Sequence, residues 1–329
     1  MSSKIFVPFK LEPELIEKLE QTIAGKDFSL SATAQEQLGP PRPGRPSGNL
    51  KEIAEAEIFF GGYIPPEQFA AAKKLKWIQV PFAGVNRLLT VGEIIESEVI
   101  VTNAAGIMAP AMADQIMGYV IGFSRRLPEQ WQLQQRKEWG RLDRLFELAG
   151  QTLGIIGHGR IGIELAKRAR AFGMRVIATK TNPAGDYPEL DLVLPSRELP
   201  RLLAEADYVV MCVPLTPQTQ GMLGRAEFEQ MKSTAYFINI ARGQVVKEAE
   251  LIEILREKRI GGAALDVFEQ EPLPATSPFW EMENVIVTPH SSGNFEGFIT
   301  RSVELFCKNL ERYFEGQPLI NLVDKKRGY

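Results

Sequence analysis

The chain has 329 residues, and its 38 Lys and Arg against 41 Asp and Glu give a formal net charge of −3. A hydrophobic share of 44% and a charged share of 24% are typical of a folded globular protein, so they exclude a disordered or collagen-like chain. The length predicts about two domains. Near-balanced charge without a long basic block does not favour nucleic acid as a partner.

The few cysteines and histidines and the absence of long apolar runs narrow the class of protein further. Cys212 and Cys307 lack the spacing of a zinc or redox site, so we expect core residues, no metal and a reducing compartment. The opening MSSKIFVPFK lacks the apolar core of a signal peptide, and the absence of any run of about 18 apolar residues predicts no membrane span. We therefore expect a cytoplasmic protein without a membrane partner. Only His158 and His290 can supply an imidazole.

The first hundred residues alternate short apolar runs with helical patterns, which favours a parallel sheet covered by helices. Residues 39–48 contain four Pro and three Gly and are predicted to be an exposed loop. Strands are predicted at residues 5–8, 57–60, 77–80 and 98–102, with a helix at 11–23.

A long helix is predicted over residues 110–127, because apolar residues recur there near a period of 3.6. Residues 128–149 are polar and contain Trp131 and Trp139, which predicts a protruding helical segment with exposed aromatic surface. A second alternation of strands and helices starts at Gln151 and predicts a doubly wound nucleotide-binding fold. Its strands are predicted at 152–157, 175–179, 208–213, 235–240, 262–267 and 284–288, its helices at 160–171 and 247–257, and a last helix from about 293 to about 313.

A glycine-rich turn follows the first strand of this second series, where residues 157–162, GHGRIG, match the GxGxxG pattern of dinucleotide-binding folds. The first glycine permits the tight turn, the second lets the backbone approach a pyrophosphate, and the third lets helix and strand pack closely. The following helix offers its free N–H groups to the phosphates. The alternative is a glycine turn without a ligand. We interpret His158 as a loop side chain near the pyrophosphate, and the predicted cofactor contacts are Gly157, Gly159, Arg160, Ile161 and Gly162.

The end of the next strand bears on the choice of cofactor. An acidic residue roughly 20 positions beyond the glycines normally accepts hydrogen bonds from the adenosine ribose. Here Lys180, Thr181 and Asn182 stand at that point, and no carboxylate is present. A lysine and a hydroxyl favour a 2′-phosphate, so we predict contacts from these three residues and a preference for NADP(H), with NAD(H) as a permitted cofactor. The alternative is a solvated surface Lys180 and an enzyme indifferent to the phosphate.

Three polar residues each follow a predicted strand, where open α/β sheets bind their ligands: Arg242, Glu271 and His290. Reduction of a 2-oxo acid needs a cation for the carboxylate, and Arg offers a planar fork. It also needs a proton donor, which His supplies near neutral pH. A neighbouring carboxylate would favour the protonated imidazole and fix its orientation. Taken singly, Arg242 could instead be a salt-bridge partner, Glu271 a surface carboxylate and His290 a helix cap.

These motifs together resemble the D-isomer-specific 2-hydroxyacid dehydrogenase family, in particular its glyoxylate/hydroxypyruvate reductase-like members. GIIGHGRIG, CVPLTPQT, INIARGQVV, ALDVFEQEPLP and NVIVTPH stand in the order of the family's motifs. The resemblance implies that Arg242 holds the substrate carboxylate, that Glu271 tunes the base and that His290 transfers the proton. The family loop that grips the carboxylate corresponds to VPFAGVN, with Ala83 and Gly84. The further cofactor contacts that the resemblance implies are Pro214, Thr219, Ile240, Ala241, Arg242, Asp266 (near the nicotinamide carboxamide), His290 and Ser292.

The resemblance also implies an α/β architecture of two Rossmann-like or flavodoxin-like domains with doubly wound parallel sheets. A cofactor domain, residues 103–291, would be inserted into a substrate domain made from residues 1–102 and 292–329. Closure between the two would exclude water. Family members are typically homodimers, and the segment with Trp131 and Trp139 fits such a contact; packing of these tryptophans inside their own domain is the alternative.

The expected function is hydride transfer between NAD(P)H and a small 2-oxo acid or D-2-hydroxy acid, with glyoxylate and hydroxypyruvate as candidates by family analogy. Asn86 and Gln115 depart from residues common in the family, which leaves the substrate open. Two alternatives remain. The protein could be a non-catalytic NAD(H)-sensing, corepressor-like relative, or a relative that acts on another small anion such as formate or phosphite.

Overall fold

The computed structural model describes residues 3–32 and 50–328. They fall into two compact units. Unit 1 is made of Met1–Ile107 and Phe295–Tyr329, and unit 2 of Met108–Asn294, so the second unit is inserted into the sequence of the first. The assignment of residues 103–291 to cofactor and of the flanking residues to substrate stays a prediction. The predicted loop at 39–48 lies outside the described residues.

Unit 1 contains one parallel sheet, which has five strands in its described part. Their spatial order is 2-1-3-4-5, the flavodoxin-like order of doubly wound sheets. Numbered along the whole chain, the strands are β1 (Ser3–Val7), β2 (Phe28–Ala32), β3 (Ala56–Phe60), β4 (Trp77–Gln79) and β5 (Ile100–Thr102), and the helices of this unit are α1 (Pro13–Ile23), α2 (Leu50–Ala54), α3 (Pro66–Ala71), α4 (Gly92–Glu96) and α11 (Phe298–Phe314).

Helix α11 buries one stripe of side chains at helical spacing against this sheet, including Val303, Phe306 and Leu310. The Phe306 ring stacks on Phe60 of β3 with ring centroids 4.4 Å apart and packs against Trp77 of β4. A helix from the end of the chain therefore completes the core of a sheet formed near its beginning.

Unit 2 contains a seven-stranded sheet whose strands are all parallel. Counted within the unit, the strand order is 3-2-1-4-5-6 with a seventh strand at the edge, which is the dinucleotide-binding order. The strands are β6 (Thr152–Ile156), β7 (Arg175–Lys180), β8 (Leu192–Pro195), β9 (Tyr208–Met211), β10 (Tyr236–Asn239), β11 (Gly262–Leu265) and β12 (Val285–Val287). The helices are α5 (Ala109–Ser124), α6 (Leu127–Gln135), α7 (Arg160–Ala171), α8 (Leu199–Glu205), α9 (Arg225–Phe228) and α10 (Glu248–Arg256).

Helices cover both faces of this second sheet. Val176 and Ala178 of β7 belong to the core beneath α5 and α7, whereas Ile177 between them belongs to the core beneath α8 and α10. Both faces are apolar, as a buried parallel sheet requires. A side chain at Gly154 would lie 2.7 Å from Leu202 of α8, so glycine allows this helix to approach β6 closely.

The predicted fold class, an α/β chain with two doubly wound parallel sheets, is confirmed. The predicted strands coincide with observed ones to within two residues at either end, and the helix at 160–171 has the predicted bounds. Strands β2 and β8 were not predicted. Among the described residues β2 pairs on one side only, with β1, and its side chains are at most half-buried, which agrees with the weak apolar signal of its sequence.

The prediction of one helix over 110–127 is wrong at its end. Helix α5 stops at Ser124, and Arg126 adopts a left-handed conformation with φ 52° before α6 begins. Pro128 stands in the first turn of α6, where proline is tolerated although it disfavours helical geometry just before it. The predicted helical segment at 128–149 is wrong beyond Gln135, since residues 136–149 contain neither helix nor strand.

Candidate functional site

The predicted residues of unit 2 gather at one edge of its sheet. Because all seven strands are parallel, their carboxyl ends share an edge, and the turns after β6, β7, β9, β10, β11 and β12 all start there. β6 and β9 are neighbours that belong to opposite halves of the strand order. This is the switch point at which open α/β sheets bind ligands.

The glycine turn has the geometry of a dinucleotide-binding loop. Gly157 has φ 92°, and a side chain there would lie 2.7 Å from Val213. A Cβ on Gly159 would meet nothing within 4 Å, so the backbone is open to a ligand at this point. Helix α7 then begins with Arg160, followed by the half-buried Ile161, and directs its first N–H groups to the same opening. The turn fits the pyrophosphate of a nicotinamide dinucleotide.

The His158 side chain turns inward from the glycine turn. Its imidazole is buried, and Nε2 lies 2.7 Å from Oε1 of Glu189. The Tyr187 ring meets it edge-on with ring centroids 5.6 Å apart. A Cβ on Gly162 would lie 3.0 Å from Nδ1, so the third glycine makes room for the imidazole as well as for β6. His158 thus lies in the glycine turn, as interpreted from the sequence, but its side chain is buried, and its position near a pyrophosphate stays a prediction.

Lys180 ends β7 beside the glycine turn. Its Nζ donates a hydrogen bond to the carbonyl oxygen of His158 at 3.1 Å and lies 5.1 Å from the centre of the Tyr187 ring. Thr181 and Asn182 follow as exposed residues, and the Asn182 side chain accepts a bond from the N–H of Ala184. A fixed positive charge thus stands at the end of β7, where NAD-binding folds place a carboxylate.

Arg242 lies in the turn after β10, and Asn239 holds that turn. The Asn239 side chain accepts a bond from the Ala241 N–H and donates one to the Arg242 carbonyl, each at 3.0 Å. Burial lowers the pKa of the Arg242 guanidinium, and the charge of Glu271 opposes that effect. A Cβ on Gly243 would lie 1.9 Å from the backbone of Phe268, so glycine here lets the turn contact the segment that leads to Glu271.

Glu271 and His290 form a direct pair. Nδ1 of His290 lies 2.8 Å from Oε2 of Glu271, while Oε1 of Glu271 accepts a bond from the N–H of Phe268. The side chains of His290 and Glu271 keep 47% and 36% of their exposure, so the pair is open to a small molecule. The structure brings these two predicted residues together.

Asp266 anchors the turn that carries His290. Its buried carboxylate accepts bonds from the Thr288 hydroxyl at 2.6 Å and from the N–H groups of Ser291 and Ser292 at 2.9 and 3.0 Å. Its carbonyl oxygen accepts the His290 N–H at 2.8 Å. His290 has φ 50°, an uncommon backbone conformation that these bonds support. The predicted contact between Asp266 and the nicotinamide carboxamide stays a prediction.

A polar chain continues from this turn into α5. The Tyr119 hydroxyl lies 2.6 Å from the Thr288 hydroxyl, and Gln115 donates a bond to the Tyr119 oxygen at 3.0 Å. Burial raises the pKa of Tyr119. Gln115 therefore supports the His290 turn from the neighbouring helix.

The other predicted cofactor residues line the same sheet edge. Thr219 holds the turn after β9, because its hydroxyl donates a bond to the Pro214 carbonyl at 2.6 Å. Ile240 and Ala241, directly after β10, are buried.

The predicted substrate residues Ala83 and Gly84 lie in unit 1, in the loop after β4. There Asn103 donates a bond to the Ala83 carbonyl at 2.9 Å.

Sequence patterns did not identify the supporting roles of Asn239, Asp266 and Tyr119. Asn239 ends β10 and Asp266 directly follows β11, each as a lone polar residue in an apolar run, and this position could have singled them out. Tyr119 gave no such signal, because its spacing on α5 is that of an ordinary core residue.

Two features are absent from residues 3–32 and 50–328. Within these ranges, no three or more His, Cys, Asp or Glu side chains are grouped so that they could hold a metal ion. Over the same ranges, no helix has the length and apolar character needed to cross a membrane.

Comparisons with known proteins place this geometry in context. The family model described as "D-isomer specific 2-hydroxyacid dehydrogenase, NAD binding domain" matches residues 117–292. A glyoxylate reductase from Korarchaeum cryptofilum is 31% identical over 331 residues, which cover 99% of this chain and 97% of that protein.

Two solved structures match over all of both chains. A D-isomer-specific 2-hydroxyacid dehydrogenase from Xanthobacter autotrophicus Py2, in complex with NADPH and MES, has a TM-score of 0.83 at 28% identity. An NADPH-dependent glyoxylate/hydroxypyruvate reductase from Sinorhizobium meliloti, in complex with NADP and sulfate, has a TM-score of 0.82 at 27% identity.

Proposed function

Because this chain belongs to the D-isomer-specific 2-hydroxyacid dehydrogenase family of NAD(P)-dependent oxidoreductases, we propose that it reduces a small 2-oxo acid to the D-2-hydroxy acid. The observation that carries the proposal is the 2.8 Å contact between His290 and Glu271, in the same sheet edge as Arg242 and the glycine turn. One unit thus holds an acid–base group, a cation and a dinucleotide loop together.

The nicotinamide cofactor supplies the hydride when bound. His290 supplies the proton: its Nδ1 is engaged by Glu271, so Nε2 is the atom that donates a proton to the substrate oxygen during reduction and accepts it in the reverse direction. Glu271 acts as the positioning carboxylate, because its bond to the Phe268 N–H fixes the oxygen that faces the imidazole.

Arg242 holds the substrate carboxylate in this proposal. Its guanidinium is partly buried, which strengthens an ionic contact relative to open water. Its planar fork matches a carboxylate with two parallel hydrogen bonds. Ala83 and Gly84 are also proposed to bind the substrate, and the support is the resemblance of their loop to the family's.

We propose NADP(H) as the preferred cofactor and NAD(H) as a permitted one. The support is the fixed ammonium of Lys180 at the end of β7 and the lack of a carboxylate there. Gly157, Gly159 and Gly162 would form the pyrophosphate loop. The other residues proposed to line the cofactor are Arg160, Ile161, Thr181, Asn182, Pro214, Thr219, Ile240, Ala241, Arg242, Asp266, His290 and Ser292.

Glyoxylate and hydroxypyruvate are the first substrates to test, because relatives named for them resemble this chain. The experiment follows NADPH absorbance while a panel of 2-oxo acids is added, with formate and phosphite tested alongside NADP. We expect reduction of at least one short 2-oxo acid. Binding of NADPH without any turnover across the panel would refute the proposal and favour a nucleotide-sensing protein. Turnover of formate or phosphite alone would instead favour an enzyme that acts on another small anion.

We further propose a homodimer formed through the segment that contains Trp131 and Trp139. The Trp139 side chain is fully exposed and Trp131 keeps 65% of its exposure, so neither is packed into its own unit as the alternative interpretation required. Exposed aromatic side chains of this size are typical of contact surfaces. A cytoplasmic location stays a prediction.

A further inference from the structure

His158 is a buried titratable group to which the proposed chemistry gives no task. Its side chain has no exposed surface, and Nδ1 is the one buried side-chain polar atom without a hydrogen-bond partner in the described ranges 3–32 and 50–328. Nε2 faces the Glu189 carboxylate at 2.7 Å. An ionised carboxylate only accepts hydrogen bonds, so the imidazole proton resides on Nε2 and Nδ1 keeps its lone pair. A proton on Nδ1 would be a buried donor without an acceptor.

The neutral imidazole is consistent with its surroundings. Burial lowers the pKa of His158, the Lys180 charge acts in the same direction, and Glu189 opposes both. Nδ1 also points at Gly162 in the first turn of α7, where the positive end of the helix dipole disfavours a second positive charge. His158 is therefore held as a neutral donor to an ionised acceptor, which is among the stronger classes of hydrogen bond.

This bond joins two segments that are otherwise separate in sequence. His158 belongs to the glycine turn between β6 and α7, and Glu189 lies 31 residues later in the connection between β7 and β8. Lys180 makes a second link, from the start of that connection to the His158 carbonyl at 3.1 Å. Tyr187 lies between the two links, with its ring against both the imidazole and the ammonium.

The two segments correspond to the two ends of the adenosine half of a dinucleotide. The glycine turn meets the pyrophosphate, and the end of the second strand meets the adenosine ribose. A rigid distance between them preorganises the site for both groups, which reduces the ordering cost of binding.

We propose that His158 and Glu189 form a clasp that fixes the β7–β8 connection to the glycine turn and so positions Lys180 for the adenosine ribose phosphate of NADP(H). The inference rests on the proposed cofactor site. His158 and Glu189 are positioning residues here; neither contacts the reacting atoms, and both act through the backbone and through Lys180.

The test measures binding of NADPH and of adenosine 2′,5′-bisphosphate by calorimetry to Glu189→Gln, Glu189→Ala and His158→Phe. Glu189→Ala and His158→Phe are expected to raise both dissociation constants about tenfold, and Glu189→Gln by less, because the amide oxygen still accepts the Nε2 proton. The double variant His158→Phe/Glu189→Ala is expected to raise the dissociation constants no more than either single change, since both changes remove the same bond. kcat at saturating NADPH should change far less than the dissociation constants.

Arg170→Gln is the matched control. Arg170 of α7 also reaches this connection, through Asp191 at 2.9 Å, but on the exposed side, where ion pairs contribute little. Unchanged dissociation constants in Glu189→Ala would overturn the clasp. An equal loss in Arg170→Gln, or additive losses in the double variant, would also reject it in favour of general loosening.

The experiment distinguishes failure of the proposed clasp from failure of the proposed function. The bisphosphate measures the adenosine half alone and needs no turnover, so the expected shifts would uphold the clasp even if every 2-oxo acid proved inert. If His158→Phe does not fold, the graded pair Glu189→Gln and Glu189→Ala still decides the question.

Discussion

Nδ1 of His290 lies 2.8 Å from Oε2 of Glu271, although 19 residues separate them in the sequence. Each residue is held by its own contact, the His290 backbone by the Asp266 carbonyl and the Glu271 side chain by the Phe268 N–H. The pair is thus assembled by two neighbouring strand ends rather than by one local motif. Its chemistry can be changed by single substitutions that leave the sheet intact.

Replacing the imidazole tests the proton-transfer role. We expect His290→Gln to lower kcat by about 10² or more, because the amide cannot supply a proton, while the dissociation constant of NADPH stays near that of the unchanged protein. Stopped-flow kinetics and fluorescence titration measure the two quantities. Glu271→Gln should also lower kcat, whereas Glu269→Gln in the same segment should not, since Glu269 bonds to the Glu248 backbone instead. An unaltered kcat in His290→Gln would remove His290 from the mechanism.

Arg242→Lys separates charge from shape. Lysine keeps the positive charge but loses the planar fork, so we expect KM for the 2-oxo acid to rise by about tenfold or more. Arg242→Ala should lower kcat/KM further. Steady-state kinetics at saturating NADPH measures both variants. Equal KM values for the native enzyme and both variants would show that another group holds the substrate carboxylate.

Lys180 is expected to determine the cofactor preference. Lys180→Ala should lower the ratio of kcat/KM for NADPH to that for NADH by about tenfold, because the 2′-phosphate proposed to contact the ammonium is present in NADPH and absent from NADH. Lys167→Ala, a change of an exposed lysine on α7, is the control and should leave the ratio unchanged. A native enzyme that prefers NADH would contradict the prediction before any variant is made.

Burial of His158 predicts a pH-dependent stability. Burial holds the pKa of His158 below its ordinary value of 6.5, helped by Lys180 and opposed by Glu189, with Tyr187 packed against the ring. The unfolded chain therefore binds a proton at pH values where the folded protein does not. Since the unfolded state binds more protons, the free energy of unfolding rises with pH up to about 6.5, where this contribution levels off.

Urea unfolding between about pH 5 and about pH 7 measures this slope. His158→Gln keeps a donor for Glu189 but cannot titrate, so we expect its free energy of unfolding to depend less on pH over this interval. Parallel pH profiles for the two proteins would show that other groups cause the dependence.

Trp139 is expected to contribute to self-association. Trp139→Ser should raise the dimer dissociation constant by about 30-fold, the effect of losing an interfacial tryptophan. Trp280→Ser, at a tryptophan that keeps 53% of its exposure elsewhere in unit 2, is the control. Sedimentation equilibrium gives the constants. A monomeric native protein, or an equal effect of both changes, would contradict the proposed contact.

The resemblance to the family was confirmed, and so was the α/β fold, because both depend on local signals. Glycines at 157, 159 and 162 can be recognised from spacing alone, and apolar strands alternate with helices. The direction of a side chain depends instead on tertiary packing. No local pattern shows that His158 turns inward to Glu189, or that Asp266 accepts three bonds from the His290 turn. The end of α5 could have been predicted from the sequence, because Pro128 disfavours helical geometry just before it.

The insertion of unit 2 into unit 1 has a consequence for synthesis of the chain. Ile5 and Trp77 share a core with Val303 and Phe306 of α11, so unit 1 cannot close that core until the last helix has left the ribosome. The intervening unit is translated first and carries its whole sheet within Met108–Asn294. The sheet with the glycine turn can therefore form before α11 is available to pack against the first strands of the protein.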